Sequence, residues 1–167
     1  GYLDQGGKGM IEASLDSGAF DLFVLSDGMI GQSLVDAIGS DLDGSFGSMP
    51  GAISKGSAKF GDLAAANGMD GSGPYVGESY DAAALIALAI QSGGSADRKS
   101  ILTNILKVAN APGIKIQPGQ LSYGLQMLAA GNDINYEGAT DIEFNVFGDA
   151  AGAFKELEVG DGAFITV

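Results

Sequence analysis

Along the first 70 residues, apolar and polar positions alternate between two periods. Over residues 6–17, Met10, Ile11, Ala13 and Leu15 share one helical face, and Gly18 stands where a left-handed cap would stop a helix. Phe20-Asp21-Leu22-Phe23-Val24-Leu25 follows, short and nearly continuous in apolar residues. Such a run predicts a strand buried on both faces of a parallel sheet, with Ser26-Asp27-Gly28 as the turn at its carboxyl end. A second helix fits 32–38, closed by Gly39, and 45–49 is a weaker strand. A third helix fits 57–67, with Phe60 and Leu63 inward and Gly68 as its stop. This alternation predicts an α/β fold on a doubly wound, mostly parallel sheet, in which ligands sit beyond the carboxyl ends of strands.

At Gly68-Met69-Asp70-Gly71-Ser72-Gly73-Pro74 the periodicity gives way to turn formers, which marks a boundary between two structural units. Helical patterns then cover 78–92, 96–109 and 120–130, ended by Gly93-Gly94, Ala111-Pro112-Gly113 and Gly131. After Asn132 the period changes again. Ile142, Phe144 and Val146 alternate with Glu143 and Asn145, and 154–159 and 163–167 have the character of short strands. The tail is therefore expected to be β and partly antiparallel.

Charge and composition narrow the chemistry. Lys and Arg number 8 against 21 Asp and Glu, a formal net charge of −13. That field repels a phosphate backbone and an anionic membrane surface, so nucleic acid is excluded as a partner. Cysteine and histidine are both absent. No thiolate nucleophile, Ser-His-Asp arrangement or His/Cys metal site is available, and no paired carboxylates can be placed on facing elements, so the sequence points away from an enzyme. The longest apolar run, 82–90, is too short to cross a bilayer core of ~30 Å, and direct membrane insertion is not expected. The chain opens at Gly1 with no initiator Met, and preceding sequence is expected to have been removed by processing or truncation.

Three stretches could be taken for ion or phosphate sites. Asp41-Leu42-Asp43-Gly44-Ser45 and Asn132-Asp133-Ile134-Asn135 lack the bidentate Glu that completes a calcium loop, and they are read as solvated turns. Gly6-Gly7-Lys8-Gly9 lacks the Lys-Ser/Thr pair of a phosphate loop and is read as a helix start. No cofactor and no metal is expected. Asp27 is the leading site residue, because a carboxylate at a strand's carboxyl end can pair with a ligand ammonium. Its other reading is a cap for the helix that follows.

Three segments, read in order, carry a resemblance: Gly73-Pro74-Tyr75-Val76-Gly77-Glu78-Ser79-Tyr80-Asp81-Ala82-Ala83, Val108-Ala109-Asn110-Ala111-Pro112-Gly113, and Tyr136-Glu137-Gly138-Ala139-Thr140-Asp141-Ile142-Glu143-Phe144. Together with 3–18, 20–25 and Ser26-Asp27-Gly28-Met29, they resemble the periplasmic solute-binding proteins of branched-chain amino-acid ABC transporters. One departure is Asp141, where that family usually has glycine. Asp tolerates a left-handed backbone better than most residues, so the turn is expected to survive.

The resemblance implies a two-lobed type I periplasmic binding fold, of which this chain looks like the carboxyl-terminal part. Residues 1–72 would end the second lobe, 73–132 would return helices to the first, and 133–167 would cross back with terminal strands. It implies an extracytoplasmic, periplasmic subunit that captures an amino acid by lobe closure and delivers it to a membrane permease. The alternative it leaves open is an amino-acid or amide sensor of the same fold coupled to a regulator or receptor. It also implies site roles. Asp27 would hold the ligand's amino group, and Tyr2 would place an aromatic ring or its backbone against the ligand. The helix-opening amides of Glu78, Ser79 and Tyr80 would face a carboxylate. Capping and packing are the competing readings of those last three.

Overall fold

The computed structural model describes residues 2–51 and 53–167. It divides into two compact units: Gly1–Pro50 with Phe154–Val167, and Gly51–Ala153.

In the first unit, helix α1 (Gly7–Ser17) ends at Gly18, whose φ of 66° is the left-handed cap that its glycine permits. Strand β1 (Val24–Leu25), helix α2 (Gln32–Ile38) and strand β2 (Phe46–Pro50) follow. The chain returns to this unit at its end, as β5 (Phe154–Gly160) and β6 (Ala163–Thr166). The sheet order is β1-β2-β5-β6, with β1 and β2 parallel and the two later pairings antiparallel. Ile11, Leu25, Met29, Leu34, Val35, Leu42 and Val159 form the core where helices cover one face of that sheet.

The expected strand over 20–25 is corrected in length and in burial. Only Val24 and Leu25 pair, and Phe20, Leu22 and Val24 are 66%, 55% and 76% exposed. Leu25 is buried in the core and Phe23 packs partly against it, while Phe20, Leu22 and Val24 stay on the open side.

The second unit holds α3 (Lys55–Ala66), α4 (Val76–Gly93), α5 (Arg98–Ala109), β3 (Ile114–Ile116), α6 (Leu121–Ala129) and β4 (Ile134–Tyr136). Ser54 caps α3 through a reciprocal pair of hydrogen bonds with Ser57. Ala84, Leu85, Leu88 and Ala89 of α4 meet Val108 and Ala109 of α5 and Ile116, Ile134 and Tyr136 of the strands in one core. Each fully buried leucine contributes about 1.5–3 kcal/mol by leaving water. Gly124 lets α6 approach closely, since a side chain there would press on Leu88 and Ile116.

The parallel pair β3–β4 falls outside the strands expected from the pattern, and the alternation at Ile142, Phe144 and Val146 does not make one. Phe144 forms a single bridge to Ala150, and Asn145 accepts from the N–H groups of Phe147 and Asp149 to close a tight turn. That turn leaves Val146 exposed, while Ile142 and Phe144 pack partly against the core without forming a strand.

Candidate functional site

In the first unit, two loops converge at the amino end of α1. Tyr2 takes part through its backbone: its carbonyl accepts from the N–H groups of Gln5 and Gly7, while its ring is 66% exposed. Gly7 lies tight against that carbonyl and the Met29 side chain, and any Cβ at Gly7 would overlap both. Gly31 likewise sits beside Leu3. Glycine is required at position 7 because two backbones and a thioether share the space.

Met29 belongs to the single 3-10 turn Asp27–Met29 that directly follows β1. The segments carrying Tyr2 and Asp27 are thus neighbours. Asp27 is half-buried, and its Oδ1 accepts from the Gly28 N–H at 2.8 Å. The N-cap of α2 is Gly31, which brings no side-chain bond. Below the turn lies a cavity of about 310 Å³ lined by Gly7, Ile11, Ser14, Leu25, Ser26 and Met29 among others. Asp27 does not line this hollow itself; its neighbours Ser26 and Met29 do, so a ligand's aliphatic body could lie in the hollow only with its ammonium reaching past them.

In the second unit, α4 opens without a side-chain cap. Its N-cap, Tyr75, has a φ of 61°, a left-handed conformation that is strained for a residue with a large side chain. Tyr75, Val76, Ser79 and Tyr80 line an open apolar groove of about 400 Å³ with Phe60, Met69 and Pro74. Ser79 is exposed in that groove, but its N–H already donates to the Tyr75 carbonyl at 2.9 Å. The Tyr80 hydroxyl accepts from the Gly119 N–H at 2.9 Å, and its ring lies 5.1 Å from that of Phe60. Tyr80 therefore ties α4 to its surroundings, and Glu78 is half-buried in the first turn. The strained Tyr75 was not singled out by the sequence; Gly73-Pro74 ahead of an uncapped helix is the signal that could have found it.

A buried carboxylate supports this region. Asp81, 1% exposed, accepts from Tyr136 Oη, Ala139 N and Thr140 N at 2.8 Å each and from Thr140 Oγ1 at 2.7 Å. Burial, reinforced by the Asp81 charge, pushes the Tyr136 hydroxyl far above the usual tyrosine range, so it remains a donor. Gly138 is required here twice over, by its positive φ of 59° and because a side chain would overlap Asp81 and Tyr136. Asp141 holds the left-handed turn as expected, at φ 52°. Among the described residues, no three or more Asp, Glu, His or Cys are placed to hold a metal.

No protein-family model matches the sequence, and no curated protein does. A leucine-binding protein, LivK, from Thermotoga maritima superposes over 100% of this chain with a TM-score of 0.69 at 19% identity. A type 1 periplasmic binding protein from Bordetella pertussis superposes over 96% with a TM-score of 0.61, also at 19% identity. The chain has the type 1 periplasmic binding protein fold. It spans 42% and 43% of those two solved chains, so it accounts for less than half of a type 1 binding fold of their size. In such a fold the carboxyl end of a parallel strand is a usual place for ligand contacts, and that is where Asp27 stands.

Proposed function

We propose that the complete protein is an extracytoplasmic solute-binding subunit that captures an amino acid, branched-chain or related, by lobe closure and passes it to a membrane permease of an ABC transporter. It carries out no covalent chemistry. The carrying observation is the Asp27 turn: a half-buried carboxylate at the end of a parallel strand, in a turn whose Ser26 and Met29 line a hollow, in a fold similar to that of a leucine-binding protein.

In this reading Asp27 takes the ligand's ammonium and the Tyr2 segment supplies the neighbouring wall. Glu78, Ser79 and Tyr80 are proposed from the second unit as further ligand-side residues, Ser79 by its hydroxyl and Tyr80 by holding the groove in shape. The lobe bounds 1–72, 73–132 and 133–167 read from the sequence are proposed in a form that follows the two units, with Gly1–Pro50 and Phe154–Val167 as the part of the second lobe and Gly51–Ala153 as the part of the first. No helix among the described residues is long and apolar enough to cross a membrane.

Aliphatic ligands that differ by one methylene are separated by only about 1–3 kcal/mol, so a graded series should appear. Calorimetric titration of the complete protein with a panel of amino acids and their amides tests the reading. Saturable binding that requires the free ammonium is expected. Binding of amides with a blocked amine as tightly as the free amino acids would refute the role given to Asp27, and binding of none would refute the function.

A further inference from the structure

The outer face of the first unit's sheet has the character of a buried layer, yet nothing among the described residues of that unit lies on it. Val24 stands opposite Phe46, Phe46 opposite Glu158, and Glu158 opposite Ile165, and cross-strand partners share a face. Leu25, Leu157 and Val159, each one position along, are buried, so this row faces away from the core. A sheet face that meets water alternates to polar residues. Here Val24, Phe46, Phe154, Ile165 and Val167 lie between 45% and 76% exposed. An open hollow of about 550 Å³ runs over Val24, Phe46, Ser48, Glu156, Glu158 and Val167. A contiguous apolar patch of this kind marks a docking surface.

Strand direction, length and charge set the occupant. Parallel strands such as β1 and β2 are ordinarily covered by helices on both faces, because the connections between them are helical. The chain spans 42% and 43% of the two solved type 1 binding proteins, so a fold of that size has more than half of its residues elsewhere. Glu156 and Glu158 stand within the apolar face, neither in an ion pair among the described residues. Two residues along a strand set their carboxylates about 7 Å apart on one side. Side chains four residues apart on a helix are about 6 Å apart along its axis, a close match.

We propose that an amphipathic helix of the complete protein, from sequence outside these 167 residues, lies on this face. Its apolar side covers Val24, Phe46 and Val167, and two cationic side chains one turn apart meet Glu156 and Glu158. Val24 and Phe46 are thus exposed in these residues by themselves and buried in the complete protein. The inference rests on the complete protein having a type 1 fold of that size, and not on what it binds, so it can fail while the transport reading stands.

The test uses the complete protein without ligand. Photo-crosslinking from p-benzoylphenylalanine in place of Phe46, and separately of Ile165, identifies the cover by mass spectrometry. Links within one monomer to a single segment outside these 167 residues are expected, at positions three or four apart. Links to Gly51–Ala153, links to a second copy that vanish on dilution, or no link at all would overturn the assignment. Thiol labelling of Val24→Cys supplies the second readout, at a position that tolerates substitution in the open sheet. Its native rate should lie about 100-fold or more below its rate in urea. Adding Glu156→Lys and Glu158→Lys, both at exposed positions, should raise the native rate about tenfold, the order expected for two lost ion pairs. Labelling as fast in the native protein as in urea would overturn the covered face, and a rate unmoved by the charge reversals would overturn the cationic helix.

Discussion

The two units satisfy their apolar residues differently. The second closes its core on itself: α4 is buried at Ala84, Leu85, Leu88 and Ala89, and helices and strands of the same unit enclose it. The first leaves Phe20, Leu22, Val24 and Phe46 exposed at 66%, 55%, 76% and 47%, so its sheet is covered on one face and open on the other. The same kind of apolar run therefore has two outcomes, decided by what lies on each side of it. A further contrast is polar. The second unit anchors its 137–141 turn on a buried carboxylate, whereas the first relies on close backbone approach at Gly7.

Substitutions should break this contrast in a definite order. Asp81→Ala should cost the second unit about 3–5 kcal/mol, because Tyr136 Oη and two backbone N–H groups lose their acceptor in a buried place. Hydrogen exchange would show protection lost around 136–141. Leu88→Ala, at a fully buried position, should cost about 2–4 kcal/mol in urea unfolding through the cavity it leaves. Asp141→Val should cost about 1–2 kcal/mol, since a β-branched residue resists the φ of 52°, while Asp141→Gly should be tolerated. Val24→Thr, on the open face of β1, should stay within about 0.5 kcal/mol of the parent.

A pH titration sharpens the contrast further. Hydrogen bonds from Lys115 and Gln117 hold the Glu137 carboxyl below its ordinary value near 4.5. A carboxylate whose pKa is depressed by folding contributes stability that is complete above its unfolded value and is lost as pH falls through the folded one. Local opening at 115–117 and 137 should therefore appear below about pH 4.5 and be absent in Glu137→Gln, as followed by NMR.

Much of the fold was legible from periodicity and glycine punctuation. Gly18, Gly39, Gly68, Gly94 and Gly131 all stand at or just beyond helix ends with positive φ, as the pattern requires. The β3–β4 pair was not legible, because three-residue strands carry too little alternation to be told from a loop. Gly113 was the available clue, since a side chain there would strike the backbone of Ile134. The run 20–25 misled because continuity of apolar residues reports hydrophobicity and not the presence of a covering layer. At the candidate site, the position of Asp27 at the carboxyl end of β1 was legible from the pattern, whereas the approach of the Tyr2 segment through Gly7 and Met29 was not. Asp81 escaped, although it lies inside the segment that carried the family resemblance, because the donors it serves are 55 to 59 residues away.

The role of Asp27 is the central claim, and one measurement addresses it directly: calorimetric titration of the complete protein and its Asp27→Asn variant with the tightest-binding amino acid. Loss of a charge-assisted contact to the ammonium should weaken binding by about 30-fold or more, with circular dichroism unchanged. Equal affinity in the two proteins would contradict the account.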